Sequence, residues 1–213
     1  MCPSRPKATV HTIVRQAFQP LLVLLLLLLP TTGFAHIDPT GAGEGGFASG
    51  MRHPVTGLDH VVAMVAVGLW GAQLRAPAMW LLPVLFPLVM AIGGVIGVVG
   101  VALPGVNLGI AASGILLGAM VAAEAKPPLW ATMLLVGSFA IFHGHAHGTA
   151  LPAFGVPILF ATGFVVATGV LHLCGIVIGL LVRWPTGSVI VRVAGAAITL
   201  VGGFFLAVHL TSP

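Results

Sequence analysis

Long apolar runs separated by very short polar connectors make up most of the chain beyond residue 50. No Asp, Glu, Lys or Arg occurs in residues 76–123 or 127–182. Because backbone polar groups find no water in lipid, such runs cross a membrane as helices. We therefore predict an all-α membrane protein, a bundle of six transmembrane helices. The predicted spans lie near 55–74, 79–102, 106–124, 129–148, 154–182 and 188–210.

The N-terminal segment, residues 1–35, has the organisation of a secretory signal peptide. Basic residues come first, a nearly pure leucine run follows at 21–29, and the small-residue boundary "TTGFA" closes the segment. The leucine run is too short to span about 30 Å of hydrocarbon. We predict cleavage after residue 35, which leaves 36–213 as a single six-helix domain that begins with His36.

Composition supports the membrane assignment and excludes several partners. Hydrophobic residues form 58% of the chain and charged residues only 6%, with a mean hydropathy of +1.15. A soluble domain carries about 25% charged residues, so lipid is the expected surrounding of this protein. The net charge of +4 is too small and dispersed to predict nucleic-acid binding. The sequence also lacks a phosphate-binding loop of the Walker type, so we predict no nucleotide partner.

The basic residues predict the orientation of the bundle. With a translocated N-terminus, the connectors that carry Arg75, Lys126 and Arg183 all face the cytoplasm, and Arg192 can reach the same side. Arg52 alone is left outside. This is the positive-inside pattern. We therefore predict a multi-pass protein of the bacterial inner membrane with both mature termini in the periplasm.

Glycines spaced by four predict close packing between helices, since they let two backbones approach. The pairs are Gly93/Gly97, Gly105/Gly109, Gly114/Gly118 and Gly175/Gly179.

The first predicted span opens with "HPVTGLDH", which places ionisable residues where they are costly and therefore functional candidates. If the helix begins at Pro54, His53 and His60 share one face and lie about 10 Å apart along the axis. Asp59 stands beside His60. Its carboxylate can either serve as a metal ligand or accept the second ring N–H and fix the tautomer.

The fourth predicted span closes with "FHGHAHG". His143 and His147 form an i, i+4 pair on one helical face, spaced to hold an ion between them. His145 points away if the helix persists, although Gly144 and Gly148 could let the backbone loosen there.

Both motifs lie at the same membrane face, because the first span enters from outside and the fourth exits to the outside. We predict that they converge on one metal site, to which the free amine and ring of His36 add nitrogen ligands after cleavage. Nitrogen and carboxylate ligands without sulfur suit Ni²⁺, Co²⁺, Zn²⁺ or Cu²⁺. The candidate ligands are His36, His53, Asp59, His60, His143, His145 and His147. His172 is interpreted as a packing residue and His209 as a headgroup-layer residue.

The stretches "HPVTGLDHVVAMVAVGLWGAQL" and "FHGHAHGTALP" resemble the HupE/UreJ family of nickel and cobalt permeases. The marks of that family are a His followed after five residues by Asp-His, and an FHG-x-AHG-x-E run. The resemblance implies a cleaved signal, six spans and uptake of Ni²⁺ or Co²⁺ as the transported substrate. It also implies a functional link to urease or hydrogenase accessory proteins. Two positions depart from the family pattern, since Ala150 and Asn107 stand where the family usually has Glu.

We therefore predict a secondary permease, which is not an enzyme and requires neither ATP nor a resident cofactor. Two alternatives remain open from the sequence. One is a haem- or metal-binding redox protein, in which His60 and His143 could supply an axial pair. The other is a non-transporting partner that delivers metal to a maturation complex.

Overall fold

The computed structural model describes residues 46–150 and 157–211, and helices form most of these two ranges. Residues 1–35 and His36, with the predicted signal peptide and mature N-terminus, lie outside them. The described helices are α1 (Phe47–Thr56), α2 (Leu58–Leu74), α3 (Ala78–Val98), α4 (Val106–Ala122), α5 (Leu129–Thr149), α6 (Pro157–Gly179) and α7 (Pro185–Thr211). A 3₁₀ turn, Leu180–Arg183, follows α6 directly.

The length and composition of these helices make the chain a multi-pass membrane protein. Four helical segments are long and apolar enough to cross a membrane, and a fifth crossing results if α1 and α2 form one bent span. The apolar helix α4 is shorter, at 17 residues. Large apolar side chains such as Trp130 and Leu200 are 70% and 75% exposed, which suits contact with lipid. The count of six spans stays a prediction.

The first predicted span is not one continuous helix. We predicted a helix beginning at Pro54, but Pro54 lies inside α1, and α1 and α2 meet at an angle of 87°. Gly57 joins them in an extended conformation. A Cβ atom at Gly57 would lie 2.9 Å from Asp59 Oδ1 and 3.0 Å from His60 Nδ1, so the joint is closely packed. The break therefore separates His53 on α1 from His60 on α2.

Helix α5 packs against α3 through glycines on both helices. A Cβ atom at Gly144 would collide with the carbonyl oxygen of Met90, and one at Gly148 with that of Gly94. The predicted packing role of Gly93 and its partner at 97 is confirmed, because both face the α5 backbone. The backbone of α5 therefore stays helical to Thr149, and the loosening we considered at Gly144 and Gly148 is wrong.

Two further glycine pairs join the remaining helices. Gly114 and Gly118 of α4 face α7, and Gly175 and Gly179 of α6 face α2, as predicted. Gly105, which we predicted to pack against another helix, instead precedes α4. Its φ of +71° is a backbone conformation that favours glycine.

The two ends of the bundle differ in chemistry. Three side chains bind backbone carbonyls at the C-terminus of α4, at the end where α2 also finishes. Trp70 Nε1 donates to Ala125, Gln73 Nε2 to Val121 and Arg192 Nε to Ala122, at 2.9, 3.0 and 2.9 Å. Val121 and Ala122 lie in the last turn of α4, and Ala125 lies just beyond its end. We call this the basic end, since it carries Arg75, Lys126, Arg183 and Arg192. The opposite end, where α5 finishes, carries His53, His60, His143 and His147, and we call it the histidine end.

Candidate metal site

Four imidazole rings from three helices meet at the histidine end. His147 of α5 lies centrally, with its ring centroid 4.9 Å from that of His53 and 4.5 Å from that of His60. His60 in turn lies 4.8 Å from His143, almost perpendicular to it. The histidines of the two motifs, 83 to 94 residues apart in the chain, are thus brought together as predicted. We call these four residues the histidine cluster.

Phenylalanines surround the histidine cluster on its apolar sides. Phe164 lies 4.4 Å from the His147 ring, Phe160 lies 5.4 Å from His53, and Phe86 lies 5.5 Å from His143. The sequence analysis did not identify these three residues, because an aromatic residue in an apolar span carries no distinguishing signal. They place the imidazoles in a setting of low polarity, where a bare nitrogen lone pair is poorly solvated.

Asp59 holds the ring of His60 from the first turn of α2. Asp59 Oδ1 lies 2.9 Å from His60 Nδ1 and also accepts the backbone N–H of His60 at 2.9 Å. An ionised carboxylate can only accept, so Nδ1 carries the ring proton. Nε2 is therefore the nitrogen with a free lone pair, and it is buried without a hydrogen-bond partner. Of the two roles open to Asp59, this geometry favours fixing the tautomer, and a direct role as ligand stays a prediction.

Ser113 of α4 orients His143 in the same way. The Ser113 hydroxyl donates its single proton to the carbonyl of Ile110 at 2.6 Å. Its oxygen must therefore accept from His143 Nε2–H, 2.9 Å away. This leaves His143 Nδ1 with the free lone pair, and that atom is buried without a partner. The sequence analysis missed Ser113, although a lone hydroxyl within an apolar span was an available signal.

His145 points away from the histidine cluster, as expected for a persistent helix. Its Nε2 donates to the carbonyl of Val101 at 2.8 Å, beyond the end of α3. This contact joins the end of α5 to the segment after α3. The prediction that His145 is a ligand is not supported by this contact, since the ring is used for packing between helices.

The histidine cluster has ligand atoms at suitable spacing but not yet at a suitable orientation. His60 Nε2, His143 Nδ1 and His147 Nε2 are all buried and unpaired. Nevertheless, within residues 46–150 and 157–211, no three His, Cys, Asp or Glu side chains are positioned to hold one ion together. Neighbouring rings pack edge-on or tilted, at interplanar angles of 69°, 89° and 55°. The rings would have to turn for their lone pairs to point at one ion.

A cleft between α3, α5 and α6 reaches the histidine cluster from the side. Its volume is about 130 Å³, and Pro87, Gly94, Phe160 and Phe164 are among its lining residues. His147 also lines it, so this ring is the member of the cluster that the cleft exposes.

The other sequence candidates are not members of the histidine cluster, although Ala150 lies only three residues beyond His147. The positions that depart from the family pattern, Asn107 and Ala150, are both exposed, in the first turn of α4 and at the end of α5. His209 is half-buried near the end of α7. His172 is fully buried on α6 and packs edge-on against Phe86 at 5.4 Å. Its interpretation as a hydrogen-bonded packing residue is not supported, because neither ring nitrogen has a hydrogen-bond partner.

These features define a multi-pass helical membrane protein with a buried imidazole cluster at one end. The family model described as HupE / UreJ protein matches residues 24–205, so the chain belongs to the HupE/UreJ family. Its sequence is 43% identical over 183 residues to Protein HupE of Rhizobium leguminosarum bv. viciae. That alignment covers 86% of this chain and 94% of the relative. The predicted family is thereby confirmed, and it is a transporter-type family rather than an enzyme family. No solved structure matches the chain.

Proposed function

We propose that this protein is a secondary permease that admits a divalent transition metal, Ni²⁺ or Co²⁺, into the cytoplasm. The observation that carries the proposal is the histidine cluster, in which four imidazoles from α1, α2 and α5 meet at one end of the bundle. Three unpaired ring nitrogens there offer a dication ligands in place of water. Nitrogen ligands favour Ni²⁺ and Co²⁺ over Mg²⁺ or Ca²⁺.

The distances between the rings support a shared ion. A metal–nitrogen bond of about 2.1 Å puts the ring centroid about 3.2 Å from the ion. Two such ligands at a tetrahedral or right angle then have centroids roughly 4.5–5.3 Å apart. The observed separations of 4.5, 4.8 and 4.9 Å fall in this range. We propose that rotation of the His53 and His147 rings forms the site, while Asp59 and Ser113 hold His60 and His143 in the required tautomer.

The membrane potential is a sufficient driving force for uptake without ATP. It supplies about 2.3 kcal/mol per charge per 100 mV, hence about 4.6 kcal/mol for a dication. That free energy corresponds to a gradient on the order of a thousandfold. In the orientation we propose, the histidine end faces the periplasm and the basic end faces the cytoplasm, in keeping with the positive-inside rule. We further propose that the imported nickel supplies urease or hydrogenase maturation, since the chain belongs to the HupE/UreJ family.

The haem-binding alternative fits the geometry poorly. Imidazoles on opposite faces of a haem iron have centroids roughly 6 Å apart, because each nitrogen lies about 2 Å from the metal. His60 and His143 lie 4.8 Å apart, too close for a porphyrin between them. The non-transporting alternative remains open, and uptake measurements separate it from a permease.

Uptake of radiolabelled Ni²⁺ and Co²⁺ into cells that express this chain tests the proposal. We expect uptake above that of cells with an empty vector, and we expect His60→Ala and His143→Ala to abolish it. His209→Ala is the matched control, because this histidine lies near the end of α7 outside the histidine cluster. Immunoblots of the membrane fraction establish equal protein levels. Equal losses in all three variants, or no uptake by the parent, would contradict the proposal.

A further inference from the structure

A fifth histidine lies deeper in the bundle, beyond the histidine cluster. His172 of α6 is fully buried, and neither of its ring nitrogens has a hydrogen-bond partner. Burying an imidazole without a partner is costly, and it is rarely retained for packing alone. His172 lies eight residues beyond Phe164, which contacts His147, and is therefore about 12 Å further along α6.

Two oxygen groups accompany His172. Thr168 lies one helical turn earlier on the same face of α6, and its Oγ1 is also buried without a partner. The backbone carbonyl of Pro83 in α3 lies near the His172 ring. This carbonyl has no helical partner, because the residue four positions on is Pro87, which has no N–H. An imidazole and a hydroxyl thus share one face of α6, and a carbonyl of α3 lies near the imidazole inside an otherwise apolar bundle.

A single aromatic ring connects this group to the histidine cluster. Phe86 contacts His143 at 5.5 Å and His172 at 5.4 Å, edge-on to both. Phe86 itself is fully buried. The order from the histidine end inward is therefore His147, His60, His143, Phe86 and His172.

We propose that His172, Thr168 and the Pro83 carbonyl form an inner transit site, which receives the metal ion from the histidine cluster on its way to the cytoplasm. One nitrogen and two oxygen ligands bind a dication less tightly than several imidazoles. Weak binding suits a transit site, since conduction requires that the ion also leave. Phe86 separates the two sites and its side chain must rotate for an ion to pass. This inference rests on the proposed function.

The experiment combines uptake kinetics with equilibrium binding of ⁶³Ni²⁺ to the purified full chain in detergent. His172→Phe keeps a buried ring of similar size but removes both nitrogens. We expect its maximal uptake rate to fall at least tenfold, while the dissociation constant at the histidine cluster stays within about threefold of the parent. The number of bound ions should fall from two to one. Thr168→Val, which is isosteric, should slow uptake severalfold without changing the tighter binding.

The control is Cys174→Ala. This residue lies about 200° around α6 from His172, and its side chain is only half-buried. It should transport at the parental rate. Uptake by His172→Phe at half the parental rate or more would overturn the inner site. Equal loss of binding at both sites would also overturn it, because it would indicate a structural role for His172. If the parent protein takes up no metal, the proposed function is contradicted. If the purified parent binds only one ion, the inner site is contradicted, whatever the uptake result.

Discussion

Replacing Ser113 by alanine tests how the histidine cluster is oriented, because Ser113 contacts it through a single hydrogen bond. His143 Nε2–H donates to the Ser113 hydroxyl at 2.9 Å, and both side chains are fully buried. Ser113→Ala removes the acceptor and leaves a buried N–H unpaired. The cost of such a donor is about 1–3 kcal/mol. Without that acceptor the ring no longer favours the tautomer with its proton on Nε2, and the proton can equally lie on Nδ1, which is the nitrogen that the ion needs.

An ion bound at Nδ1 requires the proton on Nε2, so metal binding loses the free energy of the hydrogen bond that favoured this tautomer. At about 1.4 kcal/mol per factor of ten, the penalty corresponds to about 5- to 150-fold weaker binding. Loss of groups that orient a metal ligand typically lowers affinity 10- to 100-fold, in agreement with this range. We therefore expect Ser113→Ala to raise the KM for Ni²⁺ uptake, and the Kd of the purified protein, about 10- to 100-fold.

The matched control is Ser138→Ala, in the same helix as His143. Ser138 is exposed, and its hydroxyl donates to the carbonyl of Leu134 at 2.8 Å within α5. Its replacement should leave KM within twofold of the parent. Thermal unfolding in detergent establishes that both variants fold. If Ser113→Ala binds and transports Ni²⁺ like the parent, then Ser113 does not set the tautomer of His143 and the reasoning is refuted.

Three further predictions concern packing, a departure from the family pattern, and processing. Gly144→Ala should lower the thermal unfolding midpoint by several degrees and reduce uptake, because its Cβ would collide with the α3 backbone. The control is Gly137→Ala, whose Cβ would meet nothing closer than 4.0 Å, and it should change neither the midpoint nor uptake. Ala150→Glu should lower the KM for Ni²⁺, since a carboxylate three residues beyond His147 can reach an ion held there; an unchanged KM would place residue 150 off the pathway. Mass spectrometry of the membrane-purified protein should find a chain that begins at His36, and an intact N-terminal leucine segment would contradict cleavage.

The sequence by itself was sufficient to predict the class of protein and the chemistry of its candidate site. Charge-free apolar runs such as 127–182 can satisfy their backbone in lipid only as helices, so helix positions follow from composition alone. The histidines were equally visible, because an imidazole is rare and costly in an apolar span. Their convergence could also be predicted, because successive spans cross the membrane in opposite directions. The start of the first span and the end of the fourth therefore lie at the same membrane face.

The bent first span could not be predicted from its local pattern. "HPVTGLDH" reads as the first turn of a helix, because Pro54 is well tolerated there. The extended conformation of Gly57 depends on the close approach of Asp59 and His60, and α1 gains its contacts from α6, more than 100 residues away. Contacts of that kind have no signature in an isolated stretch of sequence.

The neighbours of each imidazole were likewise decided by tertiary structure. Ser113 and Phe86 are ordinary residues for apolar helices, and they matter because packing of α3, α4 and α5 places both against His143. The sequence placed His172 within an apolar span, but only the arrangement of helices places Phe86 between it and His143. The helical period of the sequence determines which face of a helix a side chain occupies. Which residue of a neighbouring helix it contacts depends on the distance between the helices, and glycine contacts such as that of Gly144 set this distance.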